Sequence, residues 1–136
     1  MKWSNGQPFD AQSFRFYWDY VLGDPELTKT YPSLWSAKEG TTTVLSVLET
    51  PDDSTVSIKY VAPKPLLAWS VRQDGPYREP GYSKQFHAAF VEKAKLDAMV
   101  SAAGYQAWDQ LFTAKHEWWN NPEMPSVRPW HPTSAI

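Results

Sequence analysis

The chain has 136 residues, of which 42% are apolar and 21% charged, the balance of one globular domain and not of a disordered segment. Thirteen Lys and Arg against fifteen Asp and Glu leave a formal charge of −2 without a basic cluster, which excludes a nucleic-acid groove. There are no cysteines, so disulfides, thiol nucleophiles and thiolate metal sites are excluded too.

The first element is a polar turn, Ser4-Asn5-Gly6, in which glycine supplies an unusual backbone angle and asparagine a local hydrogen bond. Nothing near the start of the chain is expected to cover Trp3, so this opening reads as an internal segment of a larger protein. Asp10 is placed to cap a helix over 11–22, because its carboxylate can accept the free amide hydrogens of the first turn. Phe14, Tyr17, Trp18, Val21 and Leu22 recur at helical spacing and form one apolar stripe. Gly23 ends that helix, and Asp24-Pro25 opens a single turn. Residues 30–40 read as an aromatic loop.

From Thr42 the period changes to two, which predicts a strand with Val44, Ser46 and Leu48 on one face. Pro51-Asp52-Asp53-Ser54 is a turn. Residues 55–62 return as a second strand, so a β-hairpin over about 42–62 is the expected sheet nucleus. Pro63 and Pro65 end it, since neither can donate to a ladder. A short helix is expected over 66–71, then a loop over 73–82. Further helices are expected over 84–103, with Gly104 as the stop, and over 105–119, with Trp108, Leu111, Phe112 and Trp119 on one side. Four prolines among residues 121–132 predict an extended tail leading toward a further strand. Helices on both sequence sides of a small antiparallel sheet make an α+β domain spanning residues 1–136.

No constellation supports catalysis. His116-Glu117-Trp118-Trp119-Asn120 approaches the zinc-protease helix motif, but Asn120 stands where the second imidazole must be. His87 and His131 have no partner at ligand spacing. Asp52-Asp53 beside Glu49 is explained by turn aspartates bonding their own backbone. Neither a metal nor a cofactor is expected. Eight Trp, seven Tyr and six Phe instead imply an aromatic core, with faces left to meet further protein or a ligand. The candidate ligand residues are therefore aromatic: Tyr31 and Trp35 in the loop, and Trp69 in the short helix.

Lys2-Trp3-Ser4-Asn5-Gly6-Gln7-Pro8-Phe9-Asp10-Ala11-Gln12-Ser13-Phe14 resembles a block of the family 5 extracellular solute-binding proteins, the receptors of ABC importers for peptides and some other solutes. Relatives more often carry aspartate at the position of Asn5. Further segments agree in order. They are Asp24-Pro25-Glu26-Leu27-Thr28, Tyr31-Pro32-Ser33-Leu34-Trp35, the hairpin around Pro51-Asp52-Asp53, and Pro63-Lys64-Pro65-Leu66-Leu67. Lys84-Gln85-Phe86-His87, Ala103-Gly104-Tyr105 and Asn121-Pro122-Glu123-Met124-Pro125 follow.

The resemblance implies a subdomain excised from a periplasmic-binding-protein type II receptor, the smaller one beside its first lobe. It implies an oligopeptide solute, an ABC permease as partner and the remaining lobes of the parent receptor. It also implies an extracytoplasmic parent, periplasmic or anchored as a lipoprotein, with no catalysis. In peptide-binding relatives an aromatic after the first helix lines the ligand cavity, and Tyr31 is the matching position. An oligosaccharide receptor of the same family and a free-standing aromatic-rich interaction module are the alternatives.

Overall fold

The computed structural model describes residues 1–74, 93–117, 119–130 and 132–134. The expected loop beyond residue 74, the helical start at 84–92, and the readings of His87, Trp118 and His131 lie outside them. The chain forms two compact units, one within residues 10–79 and the other combining residues 1–9 with 80–136. The α+β class holds: short helices accompany two antiparallel two-stranded sheets.

In the first unit Asp10 caps helix α1 (Ala11–Tyr17), its Oδ1 accepting from the Ser13 amide at 3.2 Å. A second aspartate joins it. The Ala11 amide donates to the Asp53 carbonyl at 2.9 Å, and the Gln12 side chain reaches Asp53 Oδ1 at 3.3 Å. Two residues forty-odd positions apart thus share the orphan donors of one helix end. The helix then widens into a π-helical turn, Trp18–Leu22, closed by the Gly23 amide donating to the Trp18 carbonyl at 2.9 Å. Here only glycine fits: a Cβ on residue 23 would stand 2.7 Å from the Asp19 carbonyl oxygen. Tyr17, Trp18, Val21 and Leu22 of the expected stripe are buried, and Phe16 joins them.

The hairpin expected over 42–62 is present only in its second part. Strands β3 (Val47–Asp52) and β4 (Thr55–Lys59) pair antiparallel, with Leu48 opposite Ile58. Between Glu49 and Asp52 the register slips, so the β3 strand carries one extra residue where Pro51 cannot donate to the ladder. Asp52 Oδ1 accepts from the Ser54 amide at 2.8 Å, the local turn bond read from the sequence. That hydrogen bond and one from Thr55 hold the Asp52 carboxyl below its ordinary pKa.

Residues 42–45, read as the start of the same strand, belong to a different hairpin. Strand β2 (Thr42–Leu45) pairs with β1 (Ser36–Glu39), a segment expected to be loop. Gly40, at φ +63°, opens the two-residue turn between them, a backbone region that costs other residues strain. The missed signal was Gly40-Thr41 between two short runs.

The break between the hairpins is Ser46, which is 3% exposed. Its amide and its hydroxyl both donate to the Trp35 carbonyl, at 2.9 and 2.6 Å. Its own carbonyl accepts from the Trp18 indole at 2.9 Å. Trp18 and Trp35 meet edge to face, 5.3 Å between centroids. Isolated two-stranded sheets are marginal in water, so both depend on this packing and on α1, which lies against β3 and β4. Helix α2 (Leu67–Asp74) closes the described part of the unit, close to the short helix expected over 66–71.

In the second unit residues 1–9 fold back on themselves. Lys2 bridges Pro8, the Trp3 amide donates to the Gln7 carbonyl at 2.8 Å, and Gly6 takes φ +84°. Trp3 is not left uncovered. It is 3% exposed and meets Phe9 edge to face at 5.0 Å. The Ser4 amide donates to the Ser126 carbonyl at 2.8 Å, and the Ser126 amide donates to Ser4 Oγ at 3.0 Å. Part of the proline-rich tail is thus bound back to the opening turn. Helices α3 (Lys93–Ala102) and α4 (Trp108–His116) pack together, with Leu96, Val100, Leu111 and Phe112 buried. Among the described residues no helix is long and apolar enough to cross a membrane.

Burial ranks three substitutions in urea unfolding followed by fluorescence. Trp35→Ala should cost about 3–5 kcal/mol and Ser46→Ala about 1 kcal/mol. Val47→Ala, at a position 58% exposed, should cost under about 0.5 kcal/mol. Equal costs for Trp35→Ala and Val47→Ala would contradict this account of the core.

Candidate functional site

The aromatic loop after the π-helical turn is held from beneath by the chain that follows β4. The Tyr60 hydroxyl donates to the Leu34 carbonyl at 2.8 Å, and burial pushes this phenol above its ordinary pKa. The Lys64 ammonium donates to the Ser33 carbonyl and lies 5.5 Å from the centre of the Tyr60 ring. Within the loop, the Trp35 amide and the Ser36 hydroxyl both donate to the Pro32 carbonyl, at 3.0 and 2.9 Å. Hydrogen-bonded carbonyls at 32, 33, 34 and 35 make this loop a fixed feature.

Beside it lies a cleft of about 200 Å³, bounded by Ser33 and Leu34 on one side and by Lys64, Leu66, Leu67 and Ser70 on the other. That is below the usual range of small-molecule pockets, roughly 300–1,000 Å³, and is the size of one side chain. Of the three aromatic candidates none lines it. Tyr31 is partly exposed, two residues before the cleft wall. Trp69 is 54% exposed on α2, next to Ser70, and Leu66 nearby is 70% exposed. Trp35 is 2% exposed and packed on Trp18, so its indole offers no face to solvent. Lys64 and Tyr60 went unnoticed as loop supports; the pattern Pro63-Lys64-Pro65 had marked only the end of a strand.

A larger groove, about 760 Å³, runs along α4 in the second unit, walled by the returning segment 117–123. The buried Asn121 side chain fixes that wall, donating to the Lys115 carbonyl at 2.8 Å and accepting from the Glu123 amide at 3.1 Å. The zinc-motif reading fails on geometry here. Helix α4 stops at His116, and Glu117 leaves it at ψ 87°, so residues 116 and 120 are not one helical turn apart on a common face. The His116 ring stacks on Phe112, 5.3 Å between centroids and 29° between planes.

No protein-family model matches the chain, and no curated protein matches it. Among solved structures it is similar to the oligopeptide-binding protein OppA, with a TM-score of 0.74 and 25% identity. The match covers 98% of this chain and 20% of that one. The fold matches a segment of OppA. This chain therefore spans about one fifth of the length of the protein it is similar to.

His116 makes the second unit sensitive to acid. Although the residue keeps some exposed surface, its Nδ1 is shut off from solvent, and desolvation pushes the imidazole down to about 4. The helix C-terminus favours the cation, but by less than the desolvation opposes it. The group folds neutral, so its contribution is complete above the unfolded pKa of about 6.5 and is lost as pH falls toward 4, up to about 3 kcal/mol. His116→Phe should flatten the loss of urea stability between those limits. Parallel pH profiles for the two proteins would remove His116 as the cause.

Proposed function

We propose that this chain is part of the solute-binding receptor of an ABC importer for oligopeptides, a subdomain-sized piece of a larger family 5 protein. The observation that supports the reading best is the likeness to the oligopeptide-binding protein OppA along 98% of the chain. The ordered resemblance of its sequence segments to that family supports it independently. The segment Lys2 to Phe14 corresponds to defined geometry, a glycine turn at Gly6 and a helix cap at Asp10.

In this reading the parent protein is extracytoplasmic, periplasmic or lipid-anchored, and closes its lobes around a peptide before presenting it to the permease. The chain itself performs no catalysis. Its contribution to the solute cavity is the fixed loop, with Tyr31 toward the peptide and Trp69 on the neighbouring helix. Trp35 acts from within, holding the loop in place. Most peptide contacts belong to the remaining lobes, so the chain by itself binds peptide no tighter than about 1 mM.

Native mass spectrometry of the intact receptor, purified without refolding, tests the solute. A ladder of peptide masses is expected. Masses spaced by hexose units would overturn the peptide assignment in favour of oligosaccharide uptake. In the intact receptor, Tyr31→Ala should weaken peptide binding about tenfold with little change in stability, the size of one lost aromatic contact. Unchanged affinity in calorimetry would take Tyr31 out of the cavity.

A further inference from the structure

The groove along α4 points to a second ligand, independent of the solute reading. Its floor is one face of the helix, carrying Asp109, and its far wall carries Glu117 and Glu123. Lys115 is its one basic lining residue, so three carboxylates face one ammonium, a surplus of two negative charges. Among the described residues none of the three carboxylates has an ion-pair partner, whereas Asp19 and Glu49 elsewhere do. Like charges brought together along a preformed wall repel unless a counter-charge sits among them.

The shape restricts what that counter-charge can be. Among the described residues no three His, Asp or Glu side chains converge closely enough to hold a metal ion. The negative charges are therefore spread along the groove. At one end stands Tyr105, 39% exposed, an aromatic face of the kind that receives ammonium or guanidinium groups. Asn121 and the buried Met124 anchor the wall, so the groove does not have to be assembled on binding.

We propose that this groove binds an extended basic peptide segment, with Lys or Arg side chains set against Asp109, Glu117 and Glu123 and one cation over Tyr105. Side-chain amides beside the carboxylates, such as Gln110, suit the backbone groups of a peptide, which a polyamine lacks.

The test is fluorescence anisotropy of the intact protein with a peptide of alternating Lys and Arg, blocked at both ends, and its Gln-substituted analogue. The basic peptide should bind at least about tenfold tighter than the analogue, and several-fold more weakly when salt rises from about 50 to about 300 mM. The double variant Asp109→Asn/Glu123→Gln should lose about tenfold in affinity while its melting temperature stays near that of the parent. Equal binding of the two peptides, or an unaltered affinity in the folded double variant, would overturn the proposal. Equal competition by spermidine would overturn the assignment to a peptide. The solute masses carried by the double variant separate this site from the solute cavity: they should remain as in the wild type, and their loss would place the carboxylates in that cavity.

Discussion

The carbonyl of Trp35 accepts two hydrogen bonds from Ser46, one from its amide and one from its hydroxyl. That double bond forces the chain to leave one hairpin and enter another at residue 46. The carbonyl of Ser46 then receives the Trp18 indole, which ties the π-helical turn to the same point. Each buried polar group in the set finds a partner in another, and leaving one unmet would cost about 1–3 kcal/mol. Two sheets of only two strands persist because this small polar knot, surrounded by tryptophan, fixes both to one helix.

The same economy of partners shapes the loop above the knot. Tyr60 and Lys64, from the chain beyond the second hairpin, bond the carbonyls of Leu34 and Ser33. A loop with its backbone satisfied in this way is rigid without being buried, the condition under which an aromatic side chain contributes to binding at low entropic cost. Tryptophan is divided between two tasks. Trp3, Trp18 and Trp35 are interior, whereas Trp69, Trp119 and Trp130 keep half or more of their surface exposed. Exposed aromatics of this size are the kind of surface that meets another layer of protein or a ligand.

In the second unit, closure comes from residues far apart in the chain. Ser4 and Ser126 exchange hydrogen bonds across 122 positions, so the opening turn and the proline-rich tail support one another. Asn121 plays the local counterpart, turning the segment after α4 back along the helix and so creating the groove. His116 lies at this turn, neutral and stacked on Phe112, at a helix end where a cation would otherwise be favoured. Packing has overridden the local electrostatic preference.

Helix α1, its aspartate cap, its apolar stripe and the Asp52 turn were legible in the sequence because each depends on neighbours within one or two turns of chain. The π-helical widening was not, since it answers to the indole of Trp18 reaching Ser46. Alternation over 42–49 correctly indicated extended chain, but period two says nothing about which partner a strand takes. The assignment of 42–45 to β1 and of 47–52 to β4 was decided by Trp35, far from either turn. Tyr31, Trp35 and Trp69 were equivalent as aromatic residues in sequence; burial separated them, leaving two at the surface and one in the core. The groove was invisible altogether, because Asp109, Glu117 and Glu123 share no periodic pattern and meet only once Asn121 turns the chain. Local chemistry determined the elements, and long-range hydrogen bonds among buried groups decided how they pair.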